Sequence, residues 1–247
     1  VDRGGDGMNR VRAVARREMA SYFNSPIAYV FLLVFVGAAL FTFFNVNAFF
    51  SRNLADLRGL FDAVPILMIL LVPALTMRLW AEERKQGTIE VLLTLPAKEQ
   101  ELVLGKFLAS WALLALGLGL TLLLPISVGL LGDLDWGPVI GGYVGAVLLG
   151  GAYLAVGQFV SATTENQILA FILALVVCLA LYGVGTETFT GLFSDRTAGL
   201  LRSIGTGSRF ASIARGVIDL RDLAYYLSLT AFFLAASVTT LRARRWA

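Results

Sequence analysis

The chain has 247 residues, of which 57% are hydrophobic and only 15% charged, and its mean hydropathy is +0.77. A soluble domain carries about 25% charge, so water is not the main solvent here. The chain has no histidine and a single cysteine, which excludes a zinc site, a catalytic-cysteine constellation and any disulfide within one chain. No catalytic residue, no metal site and no nucleic-acid partner are expected.

The composition and the spacing of apolar runs predict an all-α integral membrane protein with six transmembrane helices. Residues 1–9 are Gly/Asp-rich and are read as a disordered or non-native N-terminus. Over 10–25, Val11, Val14, Ala15, Met19, Tyr22 and Phe23 recur at helical spacing, with Arg12, Arg16 and Arg17 on the other side. The pattern predicts an amphipathic helix in the headgroup plane, its cations facing anionic lipid, and Pro26 ends it. A merely basic flank is the alternative.

The spans follow at 27–49, 60–80, 102–131, 138–161, 167–186 and 223–241, with a tail over 242–247. Uncharged stretches at 27–46, 107–132, 136–164, 166–186 and 223–241 support five of them, since crossing about 30 Å of hydrocarbon takes roughly 20 residues. Span two has only fifteen uncharged residues between Asp62 and Arg78 and needs its flanking charges to snorkel. Pro65, Pro73 and Pro125 predict kinks, and Gly117, Gly119, Gly141 and Gly142 permit close helix approach. Cys178, in mid-span, reads as packing, and Gln158 as an interhelical hydrogen bond.

Thirteen of the 20 lysines and arginines lie on the side shared by both termini, and seven on the other. The positive-inside rule therefore places both ends in the cytoplasm, in a cytoplasmic (inner) membrane.

One cytoplasmic segment, 82–100, is strongly patterned. Residues 82–86 favour a helix, Gly87 breaks it, Thr88 is placed to cap a new turn, and Ile89, Leu92 and Leu93 form an apolar edge that Pro96 ends. Such an edge suits a partner's groove, or alternatively the membrane surface. The outer region, 187–221, carries three apolar patches separated by glycines, which predicts short re-entrant or interfacial helices. There Arg209, Phe210, Arg215, Asp219 and Arg221 are candidates for an outer gate or an accessory contact, and a helical Arg215–Asp219 pair is expected. Snorkelling arginines over padding patches are the alternative.

No G-x-x-x-x-G-K-[ST] motif occurs, and the fragment at Gly105 and Lys106 lacks the hydroxyl. The Glu82-Glu83 pair has neither the arginine four residues on nor the histidines that an intramembrane glutamate protease needs.

With the arm and the six spans, two runs, EERKQGTIEVLLTLP after span two and SRFASIARGVIDLRDLAYYLSL leading into span six, make the sequence over 10–247 resemble ABC-2 type ABC transporter permeases. The branch it is most similar to is GldF-like, which includes gliding-motility and nitrous-oxide reductase maturation permeases. The resemblance implies a single permease domain of type V exporter-like architecture, in which Glu82, Glu83, Gly87, Thr88, Ile89, Glu90, Leu92, Leu93 and Pro96 form an ATPase-coupling helix. It implies a second permease chain and a separate ABC ATPase subunit that holds ATP and Mg while this chain binds no cofactor; membrane lipid and an extracytoplasmic accessory protein are the partners expected from the basic arm and the outer region. The implied role is export of a substrate, or a membrane motor driving extracytoplasmic motility or secretion machinery.

Overall fold

The computed structural model describes residues 3–46, 56–88 and 97–245, and the described residues are helical nearly throughout, with no strand among them. Helix α1, Arg3–Asn24, leads to α2, Ile27–Phe41, which continues through a π-helical turn at Thr42–Val46. Pro26 sits between α1 and α2, where a missing N–H costs nothing because the first turn has no acceptor for it. Next come α3, Arg58–Thr76, and α4, Arg78–Lys85, then α5, Glu99–Thr121, and α6, Leu123–Leu131. Helix α7, Trp136–Thr163, precedes α8, Gln167–Gly183. Three short helices follow: α9, Glu187–Thr190, α10, Asp195–Ile204, and α11, Thr206–Ala214. Helix α12, Leu220–Arg245, closes the bundle.

Among the described residues, five helical stretches are long and apolar enough to cross a membrane: Ile27–Val46, Arg58–Lys85, Glu99–Leu131, Trp136–Thr163 and Leu220–Ala243. Helix α8 has 17 residues, about 25 Å at 1.5 Å per residue, so it falls short of the usual hydrocarbon thickness.

Proline explains one of the breaks. Pro125 removes a donor and crowds the carbonyl of Thr121, and the third span divides there into α5 and α6 around Leu122. Thr121 Oγ1 donates to Leu118 O at 2.7 Å. The second span divides at Met77, and here a serine from another helix stabilises the joint. Ser161 Oγ accepts from Trp80 N at 3.1 Å and Ala81 N at 3.2 Å, and donates to Met77 O at 2.9 Å. The first amide groups of α4, which have no partner within their own helix, are thus satisfied by α7. Pro65, by contrast, stays inside α3.

Helix α7 is the centre of the bundle, packing against α3, α4, α5, α8, α11 and α12. Its small residues make this possible. A Cβ at Gly142 would fall 2.4 Å from the Phe61 ring, and one at Gly157 only 2.0 Å from Thr76 Oγ1. Gln158 donates to Val103 O at 3.0 Å, the interhelical bond expected of it. Cys178 is buried.

Two expectations need correcting. Helix α1 starts at Arg3, so residues 3–9 are helical where the composition suggested disorder. A Cβ at Gly7 would lie 3.4 Å from Glu101 Oε1 at the start of α5, and Arg10 Nη1 stands 3.7 Å from Glu101 Oε2. The apolar face of α1 also goes onto α5 instead of into lipid: Val11 and Tyr22 are buried, Val14 abuts Gly105, and Tyr22 Oη lies 2.8 Å from Ser110 Oγ. Burial, with Glu18 beside it, pushes the Tyr22 phenol well above its ordinary range, so the pair remains neutral.

Candidate functional site

Helices α1, α4 and α5 meet at the basic end of the bundle around Lys106, about two turns into α5. Lys106 is 4% exposed, and each of its three donors has an acceptor. Nζ lies 2.8 Å from Glu83 Oε1 on α4, 3.3 Å from Glu18 Oε2 on α1 and 2.9 Å from Leu79 O. It also stands 4.9 Å above the Trp80 ring. One buried ammonium therefore ties the N-terminal arm to the helix that leads into 82–96.

The surrounding charges brace this knot. Arg78 and Glu82 form a pair at 2.7 Å. Arg84 Nη1 donates to Ala162 O at 2.9 Å, putting a cation on the C-terminal end of α7, where the helix dipole favours it. Glu99 and Glu101 occupy the first turn of α5, with Arg242 Nε 3.7 Å from Glu99 Oε2. Glu101 also closes a capping box, accepting from Lys98 N at 2.9 Å. Among the described residues, four buried polar atoms have no hydrogen-bond partner: Trp80 Nε1, Glu83 Oε2, Arg84 Nη2 and Gln158 Oε1.

Of the coupling residues expected from sequence, Glu82 and Glu83 lie on α4 in these ion pairs. Gly87 takes φ +69° directly after the helix ends, a backbone conformation that favours glycine. Thr88 Oγ1 donates back to Glu83 O at 3.2 Å, closing the finished helix. Ile89, Glu90, Leu92, Leu93 and Pro96 lie outside the described residues. Arg12, Arg16 and Arg17 are exposed on α1. Lys106 stood out in the sequence only as a fragment of a phosphate-loop motif and Glu18 not at all, although a lone lysine in the apolar run ELVLGKFLASW is the signal of a buried charge with a partner.

At the opposite end the expected Arg215–Asp219 pair does not form. Gly216 takes φ +89° and residues 217–219 are not helical, so the i,i+4 geometry is lost. Arg215 caps α11 and is exposed, while Asp219 accepts from Arg221 N at 2.9 Å. The pair in this region is Arg209–Asp222. Arg209 Nη1 meets Asp222 Oδ1 at 2.7 Å, its Nη2 donates to Ser203 O at 2.8 Å, and its guanidinium lies 4.3 Å from the Tyr225 ring centroid. Phe210 is buried against α7 near Gly145, and a Cβ at Gly141 would lie 2.1 Å from Ile213 O, so α11 is set tightly on the bundle.

Because the Arg209 and Asp222 side chains are 20% and 11% exposed, this pair is expected to couple by about 1–3 kcal/mol in a double-mutant cycle of thermal stability. The Arg215→Ala and Asp219→Ala changes are expected to be additive, each within about 0.5 kcal/mol of the parent. Additivity at Arg209 and Asp222 would contradict the assignment.

The family model described as ABC-2 family transporter protein matches residues 52–235, about three quarters of the chain. No curated protein matches it. The match takes in α3 to α11 and most of α12, including the α4–α5 side of the Lys106 knot, and the family couples membrane-spanning helices to an ABC ATPase. With its apolar crossing helices, the chain belongs to the ABC-2 transporter family as a multi-pass permease subunit.

Proposed function

We propose that this permease exports or extracts a substrate using ATP hydrolysed by a separate nucleotide-binding subunit, which holds ATP and Mg and takes residues 82–96 into a groove. The observation that carries this reading is the Lys106 knot. A push on α4 reaches α1 through Glu18 and α5 through Lys106 itself, so one contact outside the membrane moves three helices together. In this reading α8 is the sixth crossing, both ends are cytoplasmic in an inner membrane, and two permease chains pair above two ATPases. Similarity of the run at 215–222 supports placing the chain in the GldF-like branch.

Co-expression with an ABC ATPase subunit tests it. A complex isolated through a tag on this chain is expected to contain the ATPase and to hydrolyse ATP faster than the ATPase alone. Isolation of the chain without any ATPase, at low salt and in lipid, would overturn the reading.

A second reading, a motor that drives an extracytoplasmic protein, is favoured by apolar side chains left exposed on the short-helix end: Leu192 at 78%, Leu200 at 63% and Leu220 at 77%. Loss of a co-isolated accessory protein in Leu200→Asp, with ATPase binding intact, is the result this reading expects.

A further inference from the structure

Two adjoining cavities at the basic end share Ile27, Leu75 and Arg78 in their walls. One, of about 290 Å³, is an apolar groove between α2 and α3, lined by Val30, Phe31, Val34, Leu71 and Ala74 among others. The other, of about 300 Å³, lies between α1, α4 and α5. Its charged lining is balanced, with Arg17, Arg78 and Lys106 against Glu18, Glu82 and Glu83. A greasy slot that opens at one end into a polar chamber has the form of an amphiphile.

The partners already made within the chamber decide what kind of amphiphile fits. Arg78 is held by Glu82, and Lys106 by Glu18 and Glu83. Among the described residues, two groups keep capacity to spare. Arg17, exposed at the chamber wall, has no recorded partner, and Glu83 Oε2 is buried without a hydrogen bond while Oε1 takes Lys106. A guanidinium suits a phosphate, and a buried carboxylate oxygen requires an N–H donor. A headgroup that brings both a phosphate and a primary ammonium leaves the chamber neutral. A choline headgroup has no N–H to give, and a glycerol headgroup adds a net negative charge beside three carboxylates.

We propose that these cavities are a binding site for one phospholipid carrying a primary amine, its acyl chain in the α2–α3 groove, its phosphate toward Arg17 and its ammonium toward Glu83. The chamber shares Glu82, Glu83 and Gln86 with the segment proposed to meet the ATPase, but lipid retention is read without any ATPase, and only the name of the leaflet, the cytoplasmic one, depends on the orientation proposed above. Occupancy would wedge α1 against α4 and so hold the arm on the Lys106 knot.

Native mass spectrometry of the full chain, released from detergent containing equimolar phosphatidylethanolamine, phosphatidylcholine and phosphatidylglycerol, tests the site without any ATPase. Phosphatidylethanolamine is expected to be retained about tenfold over the other two, a difference of about 1.4 kcal/mol. Ala74→Trp, which fills the groove, is expected to lose the adduct, and Arg17→Ala, at an exposed position, to weaken it several-fold. Leu33→Trp, on a 74% exposed face of α2, is expected to change nothing. Equal retention of the three lipids, preference for phosphatidylglycerol, or retention unaffected by Arg17→Ala would each overturn the proposal. The Arg17→Ala result stands even where Ala74→Trp fails to fold.

Discussion

Replacing Leu92 and Leu93 together with aspartate is expected to reduce association with the ATPase subunit by at least a hundredfold, and ATP-driven transport with it. Each leucine buried in a partner's groove contributes about 1.5–3 kcal/mol. Two lost leucines therefore remove about 3–6 kcal/mol before any penalty for placing a carboxylate in an apolar site is counted. A factor of a hundred needs only about 2.8 kcal/mol. Titration of purified permease, in lipid nanodiscs, with its ATPase subunit measures the effect. The folded membrane part should be unchanged, since both positions lie beyond α4 and before α5. Binding within threefold of the parent would show that the apolar edge faces the membrane surface instead.

The second large effect is expected at Lys106. Substitution by methionine keeps the length of the side chain but leaves Glu83 and Glu18 facing a buried apolar group, with Leu79 O stripped of its donor. Breaking a buried ion pair from one side costs about 3–5 kcal/mol, mostly because the remaining charge is uncompensated. Lys106→Met should therefore lower the thermal midpoint markedly and detach the arm, so that protease cuts within α1 before the rest of the chain. Combining it with Glu83→Gln and Glu18→Gln removes the stranded charges and is expected to recover a large part of the loss. A triple variant no better than Lys106→Met alone would mean that the lysine acts through packing on Trp80 and not through its two carboxylates.

The crossings were legible because hydrocarbon leaves its mark on every residue of a span: α2 with its π-helical turn, and α7, fall within a few residues of the uncharged stretches that predicted them, while the third crossing, α5 with α6, ends with its stretch but begins eight residues before it. The joint at Leu122 was legible too, since Pro125 cannot continue a ladder it cannot donate to. The joint at Met77 was not. It depends on Ser161, distant in sequence by 84 residues, and a lone serine in a span carries no sign of the helix it will cap. The arm was half legible. Its amphipathic period is in the sequence, but that period does not say whether the apolar stripe meets lipid or another helix, and Gly105, which lets Val14 approach α5, settles the matter for protein.

The basic-end site shows the same division. Glu82 and Glu83 stood out by their run, whereas Glu18 and Lys106 are joined across 88 residues by tertiary packing alone. On the far side, helical spacing suggested Arg215 with Asp219, but Gly216 sits between them and adopts a positive φ that a helix does not tolerate. The arginine that is bound, Arg209, finds Asp222 thirteen residues on, a spacing no periodic rule selects.

In the proposed mechanism a separate ATPase drives this permease through residues 82–96. Site-specific photo-crosslinking tests it most directly, with Leu92→benzoylphenylalanine in membranes that also contain the ATPase subunit. Illumination is expected to yield a product of permease joined to ATPase, absent when the same residue replaces Leu192 at the opposite end of the bundle. Crosslinking from position 92 to lipid or to the permease itself, with no ATPase product, would contradict the account.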